Sequence, residues 1–126
     1  MEKILIVDDE PAVLFSMQDY FTLLGYDVVC AKDVNEAESL LCEGAYAFVI
    51  ADLRLNGKED GLDVIRIARD RSPAVKLVLL TAYGSFELET RARKVGVDVC
   101  LYKPQPLKHI ADILRTLAGA VEKVIP

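Results

Sequence analysis

The sequence predicts an α/β fold, a doubly wound parallel sheet with helices on both faces, on three observations. Five short runs rich in Val, Ile and Leu recur along the chain. The segments between them carry apolar residues at three-to-four spacing, as amphipathic helices do. Most of the runs lack polar alternation, which is expected of strands covered on both faces. Regular alternation of strand and helix implies right-handed crossovers within one sheet. At 126 residues, 52% hydrophobic and 28% charged, the chain is expected to form one domain over 1–126, burying roughly two-thirds of the surface its unfolded form exposes.

The strands are expected at residues 4–7, 28–31, 45–51, 75–80 and 97–102. Between the first two, Pro11 suits a first helical position, Val13, Leu14, Met17, Phe21 and Leu24 form an apolar stripe, and Gly25 ends it. Asp33 followed by Glu36 reads as a capping box, with Ala37, Leu40 and Leu41 as the buried face and Gly44 as the stop. Leu62, Ile65 and Ala68 mark a third helix closed before Pro73, and residues 86–95 a fourth stopped by Gly96. The fifth is expected from about residue 107 to 124. Its stripe of Leu107, Ile110, Leu114, Leu117, Val121 and Val124 suits either packing on the sheet or a dimer seam; fewer than three heptads favour packing on the sheet.

Composition excludes several classes of function. No apolar run approaches the ~18 residues of a membrane span, and the N-terminal run meets acids at Asp8, too early for a secretory leader. A cytoplasmic protein with no membrane partner is expected. Cys30, Cys42 and Cys100 lack metal-type spacing and His109 is the only histidine, so neither a disulfide framework nor a zinc site is expected. A net charge of −5 offers no footprint for nucleic acid.

In open α/β sheets, ligands bind beyond the carboxyl ends of the strands. There the first run ends in Asp8-Asp9-Glu10, the third in Asp52, the fourth in Thr81-Ala82 and the fifth in Lys103-Pro104. Carboxylates converging at ~4 Å repel by on the order of 4 kcal/mol per pair at an effective dielectric of 20, so a counter-charge is required. Mg²⁺ suits a few carboxylates and an incoming phosphate. Asp52 then reads as a nucleophile, Thr81 as a hydrogen-bonding group for a phosphoryl oxygen, and Lys103 as a point charge for phosphate. Taken singly, an Asp-Asp pair is commonly a helix cap and Lys-Pro a turn; their joint placement points to phosphoryl chemistry.

Four motifs in order resemble the receiver domain of bacterial two-component response regulators, over the whole chain. They are Ile4-Leu5-Ile6-Val7-Asp8-Asp9-Glu10, Val49-Ile50-Ala51-Asp52-Leu53-Arg54-Leu55, Leu80-Thr81-Ala82-Tyr83-Gly84 and Leu101-Tyr102-Lys103-Pro104. The resemblance implies a flavodoxin-like sheet in strand order 2-1-3-4-5. It implies that Asp52 accepts phosphate from a sensor histidine kinase or phosphotransfer protein. Asp8, Asp9, Asp52 and the backbone carbonyl of Arg54 would hold Mg²⁺, while Thr81 and Lys103 serve the transfer. Such a domain promotes only its own phosphotransfer and dephosphorylation. It would signal to a downstream effector domain or protein, or form a homodimer, through its fourth helix, fifth strand and fifth helix.

Two departures stand out. The family usually has proline four residues past the acceptor, where this chain has Asn56 in a loop one residue longer, expected to be looser. The usual switch aromatic, three residues before the lysine, is replaced by Cys100; Tyr102, on the same strand face, is the candidate switch residue beside Thr81. Two rival readings are a haloacid-dehalogenase-type phosphatase, whose D-x-D motif Asp8-Asp9-Glu10 does not match, and a receiver-like interaction module that is never phosphorylated.

Overall fold

The computed structural model of the chain describes residues 1–119. In chain order it contains β1 (Lys3–Val7), α1 (Pro11–Leu23), β2 (Asp27–Ala31), α2 (Val34–Glu43), β3 (Phe48–Asp52), α3 (Gly61–Arg71), β4 (Lys76–Thr81), α4 (Phe86–Val95), β5 (Val99–Tyr102) and α5 (Leu107–Gly119). The strands form one parallel sheet in the order β2-β1-β3-β4-β5. The expected α/β architecture and strand order are both present. Val121 and Val124, the end of the stripe read on the fifth helix, lie outside the described residues.

Two cores explain why the strands carry unbroken apolar runs. Leu5, Val7, Val49, Ala51, Leu77 and Leu79 face one way, onto α2, α3 and α4. Their neighbours Ile4, Ile6, Phe48, Ile50, Val78 and Leu80 face the other, onto Met17 and Phe21 of α1 and Ile110 and Leu114 of α5. Side chains alternate along a strand, so both parities must be apolar when both faces are covered. Each fully buried Leu, Ile or Phe here contributes about 1.5–3 kcal/mol relative to exposure.

Helix starts follow local chemistry. Pro11 occupies the first helical position of α1, where its missing N–H costs nothing. The Asp33 carboxylate caps α2 by accepting from the Glu36 N–H at 2.8 Å, while Glu36 accepts from the Lys32 N–H, one residue before the cap. Ser85 caps α4 through the Leu88 N–H, and Gly96 ends that helix at φ +105°.

Several strands start later than the apolar runs suggest. β3 begins at Phe48 rather than residue 45; Tyr46, just before it, lies beneath the Lys3 ammonium, 5.1 Å from its ring centre. The alignment pairs Val7 with Ala51, Asp52 with Leu80 and Thr81 with Tyr102. Asp8, Asp52, Thr81 and Lys103 therefore emerge along one edge of the sheet.

Candidate functional site

Asp52 is the last residue of β3, the central strand, and is 8% exposed. Asp8, just past β1, is 2% exposed. The Lys103 ammonium lies 3.3 Å from an Asp52 carboxylate oxygen and 3.5 Å from one of Asp8. One cation thus serves two buried anions contributed by separate strands. Burial pushes the Asp52 carboxyl above its usual range; Lys103 pulls it back, and Asp8 and Asp9 add to the rise. Burial lowers Lys103, but Asp8 and then Asp52 outweigh it and hold the ammonium above its ordinary pKa.

The other Asp8 oxygen accepts from the Glu10 N–H at 2.9 Å, so Asp8 does cap the turn as well as face Lys103. Asp9 accepts from the Asn56 N–H at 3.0 Å, which ties the first loop to the one following Asp52. Asn56 at φ +56° and Gly57 at φ +80° form a tight Asn-Gly turn closed by reciprocal backbone hydrogen bonds between Leu55 and Lys58. Leu55 is fully buried beneath it. Asn56, where the family usually has proline, supplies a left-handed turn position and a backbone donor to Asp9.

Thr81 is 3% exposed, and its hydroxyl exchanges hydrogen bonds with the Tyr83 backbone, donating to the carbonyl at 3.1 Å and accepting from the N–H at 3.2 Å. Asp9, Glu10, Asp52, Arg54, Gly57, Thr81, Ala82, Tyr83 and Lys103 surround an open cleft of about 300 Å³. That is room for a phosphoryl group and several waters.

The chemistry of the donors fits a hard divalent cation. Asp8, Asp9 and Glu10 bring carboxylate oxygens within 4.8 Å of one another. Counting Asp8, Asp9 and Asp52 against Lys103, three negative charges meet one positive, leaving two uncompensated. Glu10 joins the acidic group although the ligand set read from the sequence omitted it; it was visible as the third acid of the run. Asp52, like Asp8, is paired with Lys103.

A sequence profile described as the response regulator receiver domain matches residues 4–115. The chain belongs to that family. It is thus a receiver domain of the phosphorylation-dependent signalling switches known as response regulators. Among relatives, this receiver is 36% identical over 124 residues to the transcriptional regulatory protein AruR of Pseudomonas aeruginosa, covering 94% of this chain and 50% of that protein. With the response regulator protein PilR of the same organism it shares 31% identity over 115 residues, covering 91% of this chain and 26% of PilR. It therefore spans only about a quarter to a half of these two relatives.

Among solved structures, the CheY-like receiver domain protein of Methanospirillum hungatei superposes with a TM-score of 0.88 at 25% identity, covering 98% of each chain. A response regulator from Burkholderia pseudomallei, with a phosphorylated aspartic acid, calcium ion and citrate, gives 0.85 at 28% identity, covering 98% of this chain and 72% of that one. TrrA from Thermotoga maritima, in complex with Mg²⁺ and beryllium fluoride, gives 0.80 at 27%, covering 93% and 99%. A phosphorylated aspartic acid with calcium thus occurs in one of these neighbours, and Mg²⁺ with beryllium fluoride in another. No helix among the described residues is long and apolar enough to cross a membrane.

In this receiver, Tyr102 is exposed on the α4 side of β5, with its hydroxyl hydrogen-bonded to Glu89 of α4 and its ring against Gly84. That bond to the Glu89 carboxylate pushes the phenol up to about 12. Cys100, two residues back, is half-buried against the core, and burial pushes its thiol up.

Proposed function

We propose that residues 1–126 act as one phosphoacceptor domain in which Asp52 takes a phosphoryl group from a histidine kinase or phosphotransfer protein. The observation that carries this reading is the buried Asp52 carboxylate, 3.3 Å from Lys103 and sharing its cleft with Thr81. An Asp52 oxygen attacks phosphorus as the P–N bond of a phosphohistidine breaks; the electron pair returns to the imidazole, which takes up a proton. Lys103 offsets charge on the phosphoryl oxygens. Thr81 gives up its bond to the Tyr83 carbonyl and turns its hydroxyl to a phosphoryl oxygen, loosening the loop before α4.

Asp8, Asp9, Asp52 and the Arg54 carbonyl, with Glu10 beside them, are the groups that would hold Mg²⁺. When bound, Mg²⁺ supplies counter-charge to an incoming phosphate that otherwise meets three carboxylates. The same machinery reversed toward water would remove the phosphate, so the domain promotes its own modification and turns over no other substrate.

The output is proposed to run through the surface of α4, β5 and α5 to an effector domain or protein, or to a second copy. The beryllofluoride-activated NtrC4 receiver, 25% identical with a TM-score of 0.83, is a dimer. A cytoplasmic setting follows from such partners. Incubation with Mg²⁺ and acetyl phosphate should add one phosphoryl group by intact mass, mapped to Asp52 and absent in Asp52→Asn. Equal labelling of that variant, or turnover of phosphate through Asp8, would overturn the assignment.

A further inference from the structure

Glu59, in the loop after β3, stands between two cations. Its carboxylate accepts a hydrogen bond from the Arg91 guanidinium of α4 at 3.0 Å and lies 3.8 Å from that of Arg54. Arg54 lines the cleft with Asp52, two residues beyond it in the chain. Arg91 reaches Glu59 from α4, 32 positions along the chain. One carboxylate therefore connects the rim of the cleft to α4. It does so on the side of α3, away from the route through Thr81 and Tyr102.

We propose that Glu59 is a coupling residue, linking the charge state of Asp52 to α4 by sharing its carboxylate between Arg54 and Arg91. This rests on Asp52 being the phosphoacceptor. A phosphoryl group at Asp52 carries close to two negative charges and attracts Arg54 while repelling Glu59. As Arg54 turns to the phosphoryl oxygens, Glu59 is left to Arg91 alone, and the tie between the loop and α4 tightens.

Linkage makes the effect reciprocal. Anything that removes Arg91 from Glu59 returns the carboxylate to Arg54 and draws that guanidinium off the phosphoryl group. Arg54 held across the phosphoryl group covers the approach of water, so losing it shortens the life of the acyl phosphate. Binding of a partner at α4 thereby reaches the lifetime of the signal. All three side chains are partly exposed, so the coupling is modest and salt-sensitive, about two- to threefold.

The test uses the full chain with Glu59→Gln, Arg91→Gln and the double variant, each checked by circular dichroism for an unchanged fold. Without any phosphodonor, Arg91→Gln should shift the Arg54 Nε resonance, and Glu59→Gln should shift those of Arg54 and Arg91. After acetyl phosphate, acyl-phosphate decay at low salt should be about two- to threefold faster in Arg91→Gln and slower by a similar factor in Glu59→Gln. The double variant should match Glu59→Gln, and the differences should vanish at about 0.5 M salt. Decay unchanged in Arg91→Gln, an Arg91 effect that persists without Glu59, or an Arg54 resonance blind to both changes would overturn the coupling while leaving Asp52 as acceptor. Absence of label on Asp52 would overturn both readings, so the two failures are distinguishable.

Discussion

Asp52 is ionised at a cost that the fold imposes, since burial and the neighbouring Asp8 and Asp9 all disfavour its charge. Its folded pKa is raised above the unfolded value of about 3.9. The folded state therefore binds the proton more tightly than the unfolded chain, and the associated stability is present at low pH and lost as pH rises through the folded pKa. Replacing Asp52 by Asn, which keeps shape and removes charge, should accordingly stabilise the protein at pH 7 by on the order of 1 kcal/mol, about 4 °C in Tm. That gain should fade as pH falls through the unfolded pKa of about 3.9 and be gone roughly a unit below it, where Asp52 is neutral in both states. Lys103→Met should act oppositely: it leaves Asp8 and Asp52 unpaired at neutral pH, lowers Tm and raises the Asp52 pKa further, as a carboxyl ¹³C titration would show. A lower Tm for Asp52→Asn at pH 7 would mean that its hydrogen bonding to Lys103 outweighs the repulsion.

At the scale of the elements, two glycines hold the site's shape by having no side chain. A Cβ on Gly61, the first residue of α3, would stand 2.2 Å from the Asp52 carbonyl oxygen and 2.7 Å from the Leu53 Cα, both backbone atoms that cannot step aside. Gly61→Ala should therefore push α3 away from the end of β3, cost about 2–3 kcal/mol in denaturant melts, and slow phosphorylation of Asp52 by displacing it. Gly84 is different, because the atoms its Cβ would meet first belong to the ring of Tyr102, the nearest at 1.6 Å. Tyr102 is exposed and can swing out, so Gly84→Ala should cost less than about 1 kcal/mol yet break the Tyr102–Glu89 bond, visible as a return of the Tyr102 phenol from about 12 toward its usual value of 10. The alternation of apolar runs and stripes made both elements legible in the sequence, because period-two and period-3.6 patterns are imposed by burial on each face. The contact of Tyr102 with Gly84 and Glu89 was not: it depends on how β5 and α4 pack, which no local pattern encodes.

Across the whole molecule, the four charged or hydroxyl groups at the strand ends were legible because a parallel sheet brings every carboxyl end to one edge, whatever the sequence separation. Asp8 and Lys103, 95 positions apart, meet for that reason alone. The tie of Asp9 to Asn56 and of Glu59 to Arg91 were not, since both are set by loop conformation and helix placement. The acidic edge also links folding to solution conditions. Three carboxylates against one ammonium leave two negative charges to be neutralised, and a divalent ion that binds the folded edge and not the dispersed acids of the unfolded chain must stabilise the fold by mass action. At tenfold excess over its Kd, Mg²⁺ should add about 1.4 kcal/mol and raise Tm by several degrees. Asp9→Ala should weaken this response and shift it to higher Mg²⁺, because Asp9 lies at the cleft with only the Asn56 N–H on its carboxylate. Glu10→Gln should weaken it less, as that side chain is exposed at the start of α1. Sodium chloride at matched ionic strength separates site binding from screening: a Tm gain of equal size in sodium, or an undiminished Mg²⁺ response in Asp9→Ala, would leave Asp8 with its turn cap and Asp9 with its tie to Asn56 as their roles.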